Sequence, residues 1–306
     1  MCAVCWRPMP SYLHAAKACS RMVETGSPAD DGVTRCQPWL GTFVEITVPA
    51  SAIDRVEMAF AAIRHVHERM SFHADDSDLA RLRAAVSGQV VRVDRETCFV
   101  LSKALDLYRA SGGLFDVGVG ARLACAGFLP AKSAAIDLVA FGTCADIEIV
   151  GEDAVLLRRP VLIDLGGIAK GHAVDRAIAV LREAGVPAVC VNAGGDLRVF
   201  GACGWPIGLR DADGLVRQHL SLTEAAMASS ANLLDRREAE GREWSPHIGA
   251  GGVPVLCDER VTVIADTCLL ADAMTKIALA DRGLAAEMLR VSGGEMLWES
   301  DLRGNG

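Results

Sequence analysis

Apolar and polar positions alternate over Gly41–Val48, "GTFVEITV", which predicts a β-strand with one face on a core. The period then changes. Ile53, Val56, Phe60, Ile63 and Met70 fall on one side of a long amphipathic helix, with His65 and His67 at its polar edge, read as solvated. The stretch "MSFHADDSDLARL" reads as a loop with several N-cap candidates before a short helix. Val90–Val93 predicts a strand. A helix over Glu96–Ala110 carries Leu101, Leu105 and Tyr108 on its face and stops at Gly112-Gly113. Two short strands are expected in "ADIEIVGEDAVLL", then a third and buried one at Val161–Ile163.

That third run ends in Asp164, Gly166 and Gly167, and a helical pattern follows from Ala169, with Val174, Ala177, Ile178 and Leu181 on one face until Gly185 and Pro187. A carboxylate, a glycine pair and a helix start leave room for a ligand at the backbone, and the free N–H groups suit a phosphate. The P-loop spacing is absent. The same stretch also reads as a tight strand-to-helix turn capped by Asp164. Further on, "AVCVNAGGDLRVFG", "WPIGLR", "VRQHLSL" and "RVTVIAD" predict strands, and the helix after Thr267 is apolar nearly all round, hence buried. Strands and helices mix without regular βαβ alternation, which predicts an α+β fold in a single large domain, with mixed sheets and packed helices. Residues 1–35 show no apolar periodicity and include the turn-rich "TGSPADDG", so they are expected to be poorly structured, with the fold starting near Pro38 and the domain spanning 36–306.

The chain has 306 residues, is 51% hydrophobic and carries a net charge of -8. That balance gives no basic surface for nucleic acid. A polyanionic ligand would have to be held locally. Eleven cysteines stand at irregular spacings, and Cys2 and Cys5 form a lone C-x-x-C without a partner pair, so reduced thiols in a reducing compartment are expected rather than zinc or a disulfide framework. No signal-peptide pattern and no membrane-spanning run are visible, and a cytoplasmic location is expected.

Four polar islands interrupt apolar or glycine-rich surroundings: "GGLFDVGVG" around Asp116, "DLGGIAKG" around Asp164 and Lys170, "NAGGD" over Asn192–Asp196, and "LADAMTK" with Asp272, Thr275 and Lys276. A carboxylate in a buried helix is costly unless paired or bound to a metal. Asp272 has Thr275 at i+3 and Lys276 at i+4 on its own face. The spacing allows an internal Asp272–Lys276 ion pair. That pair is the reading the spacing favours; the alternative is a hard-cation site of carboxylate, hydroxyl and a glycine carbonyl, in which phosphate oxygens complete a Mg²⁺ shell.

In this order the islands resemble the FAD:protein FMN transferase (ApbE-type) family, from "LGTFVEI" through "SDLARL", "GGLFDVGVG", "IDLGGIAKGHAVDRA" and "VNAGGDLRVFG" to "VTVIADTCLLADAMTK". The ordered set carries the resemblance rather than any single motif. It implies one FAD site and Mg²⁺-dependent transfer of the FMN half of FAD to a Ser or Thr hydroxyl of a target flavoprotein, with release of AMP. It further implies that Leu40, Leu114, Phe115, Asp116, Asp164, Lys170 and Ile248 lie along the FAD. The Gly167 carbonyl, Asp272 and Thr275 would hold the metal, and His247 with Asp272 would serve the chemistry. Lys276 stands where the family usually has a threonine. A non-catalytic FAD-binding protein and an FAD hydrolase giving FMN and AMP are the alternatives.

Overall fold

The computed structural model describes residues 23–25, 31–130, 140–210, 215–239 and 241–303. Its centre is a sheet of seven strands: β1 Gly32–Trp39, β2 Thr42–Pro49, β3 Val189–Ala193, β4 Asp196–Phe200, β5 Ala226–Ser230, β6 Val261–Ala265 and β7 Glu295–Trp298. They lie side by side in chain order, and each adjacent pair is antiparallel. Antiparallel neighbours need only short turns, so long insertions between β2 and β3 can carry the rest of the site without disturbing the sheet.

Four helices cover one face: α1 Val56–Met70, α2 Ala169–Glu183, α3 Cys268–Ala280 and α4 Arg282–Ser292. Helix α1 packs on α2, α2 on α3, and α3 on β5 and β6. The opposite face is closed by a hairpin of strands 205–210 and 216–222. Its Trp205, Ile207 and Leu209 bury Cys190, Leu197, Val199 and Met227. This double cover explains why β3 is buried at every position and lacks alternation. Helix α3 is buried nearly all round, as its composition predicts.

A smaller sheet of Val90–Arg92, Ala154–Leu157 and Ile147–Gly151 sits beside the helix Arg95–Ala110. The mixture of sheets and helices is the expected α+β single domain.

Two expectations change. Val161–Ile163 is buried but enters no ladder. The Leu162 carbonyl accepts the Gly120 N–H at 2.9 Å and the Asp164 N–H donates to Val117 at 2.8 Å, so an irregular turn and short helix take the place of a partner strand. Its apolarity reported burial, not ladder pairing.

The ordered fold also starts ahead of Pro38. β1 pairs with β2 from Gly32 opposite Pro49, so residues 32–35 belong to the sheet, and Val23–Thr25 pairs along Ile207–Leu209. A strand at a sheet edge needs only half the apolar signal of a central one, and β1 is largely exposed. The remainder of the segment 1–30, including Cys2 and Cys5, lies outside the described residues.

Candidate active site

A cleft with two lobes opens where the glycine turn meets the start of α2. The first lobe, about 330 Å³, is lined by Leu114, Phe115, Asp116, Asp164, Gly166, Gly167, His247, Ile248 and Lys276 among others. The second, about 270 Å³, is lined by Leu40, Gly41, His67, Phe72, Asp164, Gly166 and Lys170. Asp164 and Gly166 belong to both, so the turn of the sequence motif is the waist of the cleft. His67 thus lies at the second lobe, half-buried, rather than at a solvated edge. Burial lowers its pKa, with Glu68 opposing.

Local geometry explains several of these positions. Leu40 and Gly41 form a two-residue hairpin turn between β1 and β2, both with positive φ (56° and 74°). A leucine there is strained by about 1 kcal/mol, and the turn sets it on the lining of the second lobe. Asp116 caps a 3-10 turn, with Oδ1 accepting from Gly118 at 2.7 Å and Cys144 at 3.0 Å. That oxygen is committed to the fold. Asp164, expected as a cap, receives a hydrogen bond from the Gly166 N–H, and burial pushes its carboxyl up to about 6.

Helices α2 and α3 cross at Gly171, where a Cβ would stand 2.3 Å from the Cys268 carbonyl oxygen. Only glycine permits that approach. It brings the Gly171 N–H to Asp272 Oδ2 at 3.1 Å. Asp175, one turn further along α2, caps α3 through the Cys268 and Leu269 N–H groups, both at 2.9 Å, and pairs with Arg198 at 2.7 Å. The "GHAVD" spacing therefore locks two helices together beneath the cleft.

Asp272 and Thr275 are fully buried and sit beneath the lobe rather than on its lining. Lys276 lines it instead. Its ammonium bonds to Asp272 Oδ1, to Ser230 Oγ at 3.0 Å and to Thr275 Oγ1 at 3.1 Å. Thr275 donates to the Asp272 carbonyl at 2.7 Å. The lysine stem runs against Gly167, where a Cβ would lie 3.4 Å from Lys276 Cε. The two side chains assigned to Mg²⁺ are thus committed: one carboxylate oxygen to an ammonium, the other to a backbone N–H, and the hydroxyl to a carbonyl. Among the described residues, no three His, Cys, Asp or Glu side chains converge where a metal could sit. The expected trio of Gly167, Asp272 and Thr275 does not fit a divalent ion as it stands, and the ion-pair reading of the spacing is the one realised.

A second lysine mirrors the first. Lys170 Nζ lies 2.6 Å from Asp196 Oδ2, and Asp196 is 1% exposed. Burial raises the Asp196 carboxyl above the usual range against the pull of Lys170. Asp196 ends the "NAGGD" hairpin, in which Asn192 Oδ1 accepts from the Gly195 N–H at 2.9 Å. His247 is held neutral, its pKa pushed down to about 3 by burial and then by the nearby Lys276 charge. Its Nδ1 has no hydrogen-bond partner among the described residues. Sequence reasoning did not assign Asp196, Ser230 or Arg237 to the site. Arg237 lines the first lobe and stacks over Phe128 at 4.7 Å. Asp196 was legible as a polar island, whereas nothing in the local sequence marks Arg237.

The sequence model of the ApbE family matches residues 40–292, and the chain belongs to that family. It is 34% identical over 189 residues to the FAD:protein FMN transferase of Rhodobacter capsulatus, which covers 56% of this chain and 36% of the relative. It is 26% identical over 245 residues to the protein of the same name from Vibrio cholerae, covering 73% of each. This chain thus spans little more than a third of the first relative's length. Among solved structures, the ApbE protein from Thermotoga maritima superposes with a TM-score of 0.75 at 24% identity, over 87% of this chain and 94% of that one. The flavin transferase ApbE from Vibrio cholerae does so with 0.72 at 21% identity, over 90% and 94%. These likenesses fix the fold.

Proposed function

We propose that the chain is an FAD:protein FMN transferase, moving the FMN half of FAD onto a hydroxyl of an acceptor flavoprotein, a Ser or Thr side chain, and releasing AMP. The observation that carries this reading is the two-lobed cleft pinched at Gly166-Gly167, with one anchored ammonium on each lobe. FAD has two ring systems joined by a diphosphate. The waist suits the diphosphate and the lobes suit the rings. The names of the relatives point the same way.

In this reading Leu114, Phe115 and Ile248 offer the first lobe's apolar wall, and Leu40 that of the second. Asp116 and Asp164 orient the nucleotide at its polar edges. Lys170 and Lys276 meet the diphosphate charge, which is what phosphoryl transfer chiefly asks of a protein. His247, neutral and on the lining of the first lobe, hydrogen-bonds the incoming hydroxyl and aligns it. Asp272 acts by holding Lys276. The Asp272 carboxylate and the Thr275 hydroxyl, bonded as they are, offer Mg²⁺ no open side-chain donor. Among the described residues no helix is long and apolar enough to cross a membrane. The free thiols, buried Cys98 and Cys268 among them, fit a reducing compartment such as the cytoplasm.

Incubation of the full chain with FAD and a flavoprotein-domain acceptor, followed by mass spectrometry, tests the proposal. A covalent FMN adduct on the acceptor with release of AMP is expected. Free FMN and AMP would make the chain a hydrolase, and tightly bound, unchanged FAD a binding protein.

A further inference from the structure

A lysine side chain that reaches a buried carboxylate is common. One whose three N–H bonds all end on oxygens of a preformed cage is less so. The Lys276 ammonium has three protons, and three oxygens receive them: Asp272 Oδ1, Ser230 Oγ and Thr275 Oγ1. The cage is internally consistent. Ser230 and Thr275 lie 2.8 Å apart, so the Ser230 hydroxyl can donate to Thr275, which donates onward to the Asp272 carbonyl. No acceptor is left over and no proton is stranded. Asp272 Oδ2 is closed separately by the Gly171 N–H.

Three features say that this ammonium faces a ligand rather than merely neutralising a core carboxylate. Lys276 retains 17% exposure while Asp272 has none, so the cation is on the cleft side of the pair. Its stem lies against Gly167, in the turn whose missing side chain opens the waist. The uncharged His247 shares the lobe, so no second cation competes with Lys276 there from that residue. Across the waist Lys170 repeats the arrangement on Asp196. In both pairs the ammonium is the more exposed member, so a diphosphate at the waist meets the positive end of each.

We propose that Lys276 is a built-in cation of the active site, replacing a divalent metal at Asp272, so that this chain binds FAD and transfers FMN without Mg²⁺. The proposal rests on the flavin-transfer reading above. The acceptor hydroxyl oxygen forms a bond to the FMN phosphorus, and the bond from that phosphorus to the bridging oxygen breaks. AMP departs with the bridging oxygen and the hydroxyl's proton, and no redox change occurs. Lys276 neutralises charge on the phosphoryl oxygens as the bond breaks, where a mobile ion would otherwise have to be recruited.

The test uses the full chain. FAD binding is measured by calorimetry in EDTA and again in millimolar MgCl₂. The expected Kd values agree within about twofold, and Lys276→Met weakens binding by about tenfold or more in EDTA. A parent that binds FAD at least about tenfold more tightly with Mg²⁺, or a Lys276→Met chain that binds FAD in EDTA like the parent, overturns the proposal. Mn²⁺ titration of the apo chain is the second arm. The parent is expected to take up no Mn²⁺, while Lys276→Thr, which frees Asp272 and supplies a hydroxyl, takes up one ion. Stoichiometric Mn²⁺ uptake by the parent that Asp272→Asn abolishes overturns the assignment without any reference to FAD. Failure to bind FAD under either condition overturns the flavin reading, and the proposal as stated falls with it. The Mn²⁺ arm then decides separately whether the cation at Asp272 is the lysine.

Discussion

The two lysine–aspartate pairs of the cleft share their chemistry and differ in how they are built. Asp272 and Lys276 are one turn apart on α3, and helical geometry brings them together. Lys170 and Asp196 come from the first turn of α2 and from a hairpin of the sheet, and only packing makes them neighbours. The local pair is buried and fully bonded, with a backbone N–H on the second carboxylate oxygen. In the non-local pair Asp196 touches only the Lys170 ammonium, with Lys276 attracting it from further off, and its carboxyl is raised by burial. A site can therefore obtain the same charge twice, once from sequence spacing and once from topology, and the two should fail differently.

The largest difference is expected in stability. Asp272→Ala strands the Lys276 ammonium and the buried Gly171 N–H together, at a cost of roughly 3 kcal/mol. In a chain of this size that is on the order of 6–10 °C in Tm. Asp196→Ala removes a carboxylate that burial already disfavours, and Lys170 is 24% exposed and can turn to water, so about 1 kcal/mol is expected. Thermal melts of both variants at neutral pH check this. Equal losses would mean that the two pairs are equivalent.

Ligand binding should separate next. Gly167→Val places branches against the Lys276 stem at the waist, while the surrounding core stays intact. FAD affinity is expected to fall by about tenfold or more, with Tm nearly unchanged. The counterpart on the other lobe is Gly194→Ala. Its Cβ would stand 2.4 Å from Thr42 Oγ1 at a φ of +65°, so the hairpin that carries Asp196 must shift. That variant is expected to lose both stability and affinity, read by melting and by calorimetry. If Gly167→Val binds FAD like the parent, the waist does not hold the nucleotide.

The smallest effect is in pH dependence. Unfolded chain protonates histidine near 6.5, whereas folded His247 waits until about 3, so stability falls as pH drops below 6.5. Asp164 opposes this. Its folded carboxyl holds a proton up to about 6, while the unfolded one loses it near 3.8, so between those values acid favours the folded state. His247→Gln should flatten the fall in Tm between pH 6 and pH 4, and Asp164→Asn should steepen it. Melts across that range at constant ionic strength check both signs.

The sequence by itself determined the helices, most of the strands and the string of motifs, because each follows from a period or a glycine signal within a short window. The Asp272–Thr275–Lys276 face was legible because i+3 and i+4 positions meet on any α-helix. Which of its two readings held was not, since Ser230 and the Gly171 N–H decide it from β5 and α2. Val161–Ile163 showed its burial but not its lack of a partner strand, because apolarity reports exclusion from water and not ladder pairing. β1 was legible only in part, since an edge strand has little apolar signal. The meeting of Lys170 with Asp196, and the joining of two lobes at Asp164, depend on α2 docking beside the β3–β4 hairpin. No spacing along the chain encodes that contact. Only the packed sheet and helices decide it, because the groups that satisfy a buried charge are chosen by proximity in space.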